Sequence, residues 1–244
     1  MTGKLFVIGV GPGDPELLTL KGARILREVP CLCVPKGREE GSSLALSIVQ
    51  KAVDLTGKEI IEAHFPMKKT AGSAQEAAPS DARVLDTKWN ETVETVSAVL
   101  ARGTDMAFIT IGDPTIYSTF FYLYDRLLEL NPELPIEFVP GISSINAAAA
   151  RVPLSLSLAD EKIAIVPATY SPDLEKLLGS FDTLVLMKVY KVFDTVRKTL
   201  EKAGLAEKAV YVARAGMEDE RVVADIRKVT ESDLNYFSVI IVRK

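Results

Sequence analysis

Lys4-Leu5-Phe6-Val7-Ile8-Gly9-Val10-Gly11-Pro12-Gly13-Asp14-Pro15-Glu16 is the stretch that decides how this chain folds. Its first half, Lys4–Val10, is apolar at nearly every position, the pattern of a strand buried on both faces of a parallel sheet. Its second half sets glycines at alternate positions, Gly9, Gly11 and Gly13. Lacking Cβ atoms, they allow a tight turn and a close approach of backbone to ligand. Asp14-Pro15-Glu16 then reads as a helix start: Asp14 as N-cap, Pro15 at the first helical position, Glu16 in the first turn. Leu18, Gly22, Ile25, Leu26 and Val29 follow along one helical face. Strand, glycine loop and helix in that order open an α/β unit, and the helix start is expected to offer free N–H groups.

A dinucleotide-binding loop has the same outline, but its third glycine falls where this chain has Asp14. A carboxylate there repels a pyrophosphate settling on a helix end. The loop is therefore expected to serve a less anionic ligand, and an NAD(P)-dependent oxidoreductase is the alternative from a different class.

Outward from this stretch, short apolar runs alternate with amphipathic ones. Strands are expected at Leu32–Pro35, Glu59–Ala63, Met106–Ile111 and Ile136–Val139. Helices are expected from Ser42 or Ser43 to about Val53, over Trp89–Gly103, over Ile116–Leu130 and over Ile142–Ala150. Residues 67–82, rich in Ala, Gly, Ser, Pro and Lys, read as a loop. Beyond Arg151-Val152-Pro153, strands at Ile163–Val166, Thr183–Met187, Ala209–Ala213, Arg221–Ile226 and Phe237–Val242 come with two helices, Asp173–Leu178 and Val192–Ala203. The expected architecture is two α/β domains. Residues 1–143 form a mostly parallel sheet, and residues 144–244 a mixed sheet with hairpin-like pairing near its end.

Composition narrows the chemistry. The chain has 244 residues, 48% of them hydrophobic and 25% charged, with net charge −4, which fits a globular protein with no general affinity for nucleic acid. No apolar run is long enough for a membrane span, and the start lacks the features of a signal peptide, so a cytoplasmic location is expected. Cys31 and Cys33 are expected to be buried, reduced thiols on opposite faces of a strand. Two cysteines and the single histidine, His64, cannot furnish a four-ligand zinc site, and no protein-bound metal is expected.

Two further loops match the first. Thr110-Ile111-Gly112-Asp113-Pro114-Thr115-Ile116-Tyr117-Ser118 and Val139-Pro140-Gly141-Ile142-Ser143-Ser144 each run from strand to loop to helix. In open α/β sheets ligands bind beyond the C-terminal ends of the strands, which is where all three loops fall. The lesser reading of Asp113 is a plain cap for the helix that follows, and the small residues after Ser144 fit close packing of two helices as well as a ligand site.

Gly9 through Gly22, Gly112 through Thr119 and Val139 through Ser144 resemble the tetrapyrrole methylase family, in order and with family-like spacing over essentially the whole chain. The resemblance implies a homodimer that holds S-adenosylmethionine in the cleft between two domains. It also implies transfer of a methyl group to carbon 20 of a precorrin-2-type, cobalt-first tetrapyrrole, with another tetrapyrrole methylation such as that of uroporphyrinogen-III as the alternative. The implied cofactor positions are Pro12, Ile111, Gly112, Asp113, Ile116, Ser143 and Ser144, with Met187 and Gly216 from the second domain. The family often has Met-Gly where this chain reads Met187-Lys188, and Asn-Gly-Thr where it reads Ala215-Gly216-Met217. A polycarboxylate substrate calls for local cations, and Lys36, Arg38, Lys68 and Lys69 are the candidates. Tyr117 is a further substrate candidate; Asp113, Tyr117, a substrate carboxylate or water could each relay the proton displaced from the methylated carbon, and no catalytic base is assigned.

Overall fold

The computed structural model describes residues 2–36, 42–64, 79–170 and 173–244. The chain divides into two compact units, Met1–Ser143 and Ser144–Lys244. The first runs β1 (Leu5–Gly9), α1 (Leu20–Glu28), β2 (Cys31–Lys36), α2 (Leu44–Ala52), β3 (Glu59–His64), α3 (Pro79–Ala101), β4 (Met106–Thr110), α4 (Phe121–Leu130) and β5 (Ile136–Val139). Its sheet has the order β3-β2-β4-β1-β5, with every neighbouring pair parallel.

The apolar runs are explained by burial on both faces. Leu5, Val7, Cys31, Cys33, Met106 and Phe108 pack on one side against Trp89, Val93, Val96 and Leu100 of α3 and Leu123 and Leu127 of α4. Ile8, Leu32, Val34, Ala107 and Ile109 pack on the other against Ile25 and Leu26 of α1 and Ile48 and Val49 of α2. Each large side chain so buried contributes about 1.5–3 kcal/mol. Cys31 and Cys33 therefore share one face, and the expected opposite placement is wrong: side chains two apart in a strand point the same way. Both thiols are free and buried. Burial pushes Cys31, with help from the charge of Glu59, up to about 11, and pushes Cys33 up to about 12.

Helix starts depart from expectation. Asp14 caps only a single 3-10 turn, Pro15–Leu17, accepting from the Glu16 N–H at 2.9 Å. Leu18 is extended, and α1 begins at Leu20 with Thr19 as its cap, accepting from the Gly22 N–H at 3.1 Å. α4 begins at Phe121 rather than Ile116 because Tyr117 turns the chain through a left-handed φ of 54°. α3 begins at Pro79, where a missing N–H costs nothing, so residues 79–82 of the expected loop are helical; residues 67–78 lie outside the described residues.

The second unit runs α5 (Ser144–Arg151), β6 (Ile163–Pro167), α6 (Leu174–Ser180), β7 (Thr183–Met187), α7 (Phe193–Lys202), β8 (Ala209–Ala213), β9 (Arg221–Val223) and β10 (Ser238–Arg243). Its sheet is mixed, in the order β6-β7-β10-β8-β9, with β6 parallel to β7 and the other pairs antiparallel. Leu184, Leu186, Phe193, Val196, Leu200, Tyr211, Ile240 and Val242 belong to its core. The buried Tyr211 hydroxyl donates to the Asp233 carbonyl at 2.9 Å and accepts from the Asn235 N–H at 3.1 Å. β9 stops at Val223, short of the expected Ile226, because Asp225 accepts from the Arg227 N–H and starts a 3-10 turn. Among the described residues, no helix is long and apolar enough to cross a membrane.

Candidate functional site

β1 lies between β4 and β5, so the three loops singled out in the sequence leave the sheet side by side. They are bound to one another by backbone. Gly11 and Gly112 form a reciprocal pair, Gly112 N–H to Gly11 carbonyl at 2.8 Å and Gly11 N–H to Gly112 carbonyl at 3.3 Å. Both carry left-handed φ values, 81° and 71°, which glycine adopts without strain. Gly9, Gly112 and Gly141 meet backbone to backbone. A Cβ on Gly9 would lie 2.5 Å from the Gly112 carbonyl oxygen, and one on Gly141 would lie 2.2 Å from the same atom. The first function of Gly9 is thus to let three loops touch, rather than to let a ligand in.

Asp113 fastens the arrangement from the side-chain direction. Its Oδ1 accepts from the Thr115 N–H at 2.8 Å and from the Thr115 hydroxyl. Its Oδ2 accepts from the Gly141 N–H, 28 residues along the chain, at 3.0 Å. The expected capping of a helix directly after Asp113 does not occur. The carboxylate caps a local turn with one oxygen and ties the β4 loop to the β5 loop with the other.

Pro12 and Gly112 are buried, and Ile111, Asp113 and Ile116 are half-buried on this cradle. Ser143 is buried where the β5 loop ends, and Ser144 opens α5. The helix start after the glycine loop does not offer the free N–H groups expected of it there, since Asp14 and Thr19 each accept from one and α1 begins beyond the loop. Tyr117 is 46% exposed, and partial burial raises its phenol above the usual range.

In the second unit Met187 ends β7, paired with Pro167 and Val239. Lys188 follows at φ 57°. A glycine takes that conformation freely, so the departure from the Met-Gly pattern is accommodated at the cost of a left-handed lysine. Gly216, at φ 76°, donates its N–H to Glu220 Oε2 at 2.7 Å, and the other oxygen of Glu220 pairs with Arg151 Nε. Composition gave no sign of this Glu220 bridge, because its partners come from α5 and from a turn.

Of the candidate cations, only Lys36 falls among the described residues. Lys36, at the end of β2, is largely buried and pairs with Glu62 at 2.8 Å. Arg38, Lys68 and Lys69 lie outside the described residues, as does the side chain of His64. No Lys or Arg occurs in Gly9–Glu16, Ile111–Thr119 or Pro140–Ser143, whereas Asp14, Glu16 and Asp113 do. Such a cradle suits a cationic or neutral ligand and disfavours phosphates.

An open parallel sheet whose adjacent strands end in glycine-lined loops is the α/β arrangement in which small molecules bind at the C-terminal ends of the strands. The particular family follows from comparison: the Tetrapyrrole (Corrin/Porphyrin) Methylases match residues 4–230, and the chain belongs to that family. It is 37% identical to the cobalt-precorrin-2 C(20)-methyltransferase of Salmonella typhimurium, over 100% of this chain and 98% of that one. It is 38% identical to the probable cobalt-precorrin-2 C(20)-methyltransferase of Methanocaldococcus jannaschii, over 96% of this chain and 92% of that one. The fold is similar to that of uroporphyrin-III C-methyltransferase from Thermus thermophilus complexed with S-adenosylhomocysteine, with a TM-score of 0.65 at 22% identity, covering 99% and 92% of the two chains.

Proposed function

We propose that this protein transfers a methyl group from S-adenosylmethionine to carbon 20 of cobalt-precorrin-2, a step in cobalamin biosynthesis. Full-length similarity to two chains named for that reaction carries the reading, and the cradle supports it. A sulfonium nucleoside is cationic at its reacting centre, and the three loops supply carboxylates with no lysine or arginine.

When bound, the sulfonium supplies an already activated methyl group. The protein's share is then orientation: the linked Gly11, Gly112 and Gly141 loops fix a surface against which the donor rests, with Pro12, Ile111, Ile116, Ser143 and Ser144 around it. Holding methyl and acceptor carbon at about 3–3.5 Å in line contributes up to ~7–11 kcal/mol. Met187 and Gly216 of the second unit are assigned to the cofactor on family position alone. Lys36, Arg38, Lys68 and Lys69 are the proposed partners of the substrate carboxylates, which for Lys36 means exchanging its pairing with Glu62, and Tyr117 is a further proposed substrate contact. The reading includes a cytoplasmic homodimer with neither nucleic acid nor a protein-bound metal.

Turnover with labelled S-adenosylmethionine, offering precorrin-2 with and without cobalt and locating the new methyl by NMR, tests the proposal. A product methylated at carbon 20 from the cobalt form supports it. Methylation of uroporphyrinogen-III instead, or tight NADH binding without methyl transfer, refutes it.

A further inference from the structure

We propose that Asp113 is a positioning residue, a clamp that shapes the cofactor cradle, and not the group that takes the proton from the substrate. The inference rests on the cofactor reading above and deepens it. A proton acceptor needs a lone pair directed at the reacting atom, within hydrogen-bond reach. Donors of the protein already take three of the roughly four acceptor sites of the Asp113 carboxylate, both of those on Oδ1 and one on Oδ2. Thr115 supplies an N–H and a hydroxyl to Oδ1, and Gly141 supplies its N–H to Oδ2 at 3.0 Å. The turn to Thr115 is local and alone would be an ordinary cap. The bond to Gly141 is not local, because it joins the loop after β4 to the loop after β5, two strands that both flank β1. Gly141 is also the residue whose Cα and N crowd the space beside Gly9, so the carboxylate sets how closely the β5 loop approaches the glycine loop. Every first-unit position assigned to the cofactor lies on one of these loops or directly beyond it.

The geometry makes asparagine a poor substitute. In either orientation of its amide, the NH2 group faces an N–H, that of Gly141 or that of Thr115, and a donor–donor contact replaces a charge-assisted bond. A lost bond to a charged group is worth roughly 10- to 100-fold in affinity when the cradle depends on it. Asp113→Asn is therefore expected to weaken S-adenosylhomocysteine binding about 10-fold or more. Thr115→Val removes only the hydroxyl and keeps the N–H, so it is expected to weaken binding about 2- to 5-fold.

The test uses the full chain, unaltered and as these two variants, titrated with S-adenosylhomocysteine by calorimetry. Thermal midpoints are measured alongside, and kcat and KM for S-adenosylmethionine are taken with the tetrapyrrole that the unaltered protein turns over. Weakened binding and a raised KM in Asp113→Asn, with kcat at saturating cofactor changed much less, support the clamp. Unchanged affinity with collapsed kcat shows a proton relay and overturns it. A lowered thermal midpoint with unchanged affinity shows a merely structural link and also overturns it. If Asp113→Asn does not fold, unchanged affinity in Thr115→Val overturns the clamp by itself. Failure of the unaltered protein to bind S-adenosylhomocysteine refutes the cofactor reading, a result distinct from equal binding by protein and variant, which refutes only the clamp.

Discussion

Replacing Gly141 with alanine tests the meeting of the three loops directly. The added Cβ would stand 2.2 Å from the Gly112 carbonyl oxygen and 2.7 Å from the carbonyl carbon and oxygen of Gly9. All of these are backbone atoms, so no side chain can swing away to make room. Overpacking of this kind costs about 1–3 kcal/mol. Displacing the loop also stretches the Gly141 N–H bond to Asp113, and a hydrogen bond to a charged group adds about 1.5–3 kcal/mol. Together these predict a loss of about 3–5 kcal/mol. At about 2–4 °C per kcal/mol for a chain of this size, the thermal midpoint of the Met1–Ser143 unit falls by roughly 10 °C. Scanning calorimetry measures that fall, and a parallel titration with S-adenosylhomocysteine is expected to show weakened binding. Gly179→Ala in α6 is the control: nothing lies within 4 Å of its Cβ, and Gly to Ala inside a helix stabilises by about 0.5–1 kcal/mol. If Gly141→Ala melts within a degree of the unaltered protein and binds the nucleoside equally well, the close-packed cradle is refuted.

Three other outcomes follow from the structure. Lys21 and then Lys4 hold the Glu137 carboxylate down to about 2, so its stabilising effect is complete above its unfolded value near 4.5 and is lost as pH falls from there through 2. Glu137→Gln should therefore flatten the acid limb of a stability–pH curve over that window, and an unchanged limb would show that the ion pairs are idle. Glu220→Ala leaves the Gly216 N–H and Arg151 without their shared acceptor; a loss of about 1–3 kcal/mol in denaturant unfolding is expected, with refutation if the midpoint does not move. Cys31 and Cys33, buried and pushed up to about 11 and 12, should resist iodoacetamide at pH 8 until denaturant is added. Rapid labelling of the native protein would contradict their burial.

The strands were legible because buried parallel strands write themselves as unbroken apolar runs, and Lys4–Val10 and Met106–Ile111 both became central strands. Helix starts were less legible. Asp14-Pro15-Glu16 has all the marks of a cap, yet Thr19 competes for the same role five residues after Asp14 and takes the α-helix. Ile116 looked helical by periodicity, but the left-handed turn at Tyr117 leaves no trace in side-chain pattern. In the cradle, the glycines and Asp113 were visible as a motif, while their relations were not. The bond from Asp113 to Gly141 depends on which strands become neighbours, and strand order is not written locally. Strand alternation, by contrast, is written locally, and it sets Cys31 and Cys33 on a common face.

The strand order also governs how the unit is made. Leu5 pairs with Met106 on one side and with Ile136 on the other. On a ribosome, the apolar Leu5–Gly9 segment therefore emerges with both hydrogen-bonding edges bare and waits for most of the unit to be synthesised before either neighbour arrives. Such a strand invites mispairing with other nascent chains. A message cut short before the codon for Met106 yields a product with no partner for it, which folding helpers must shelter or proteases remove.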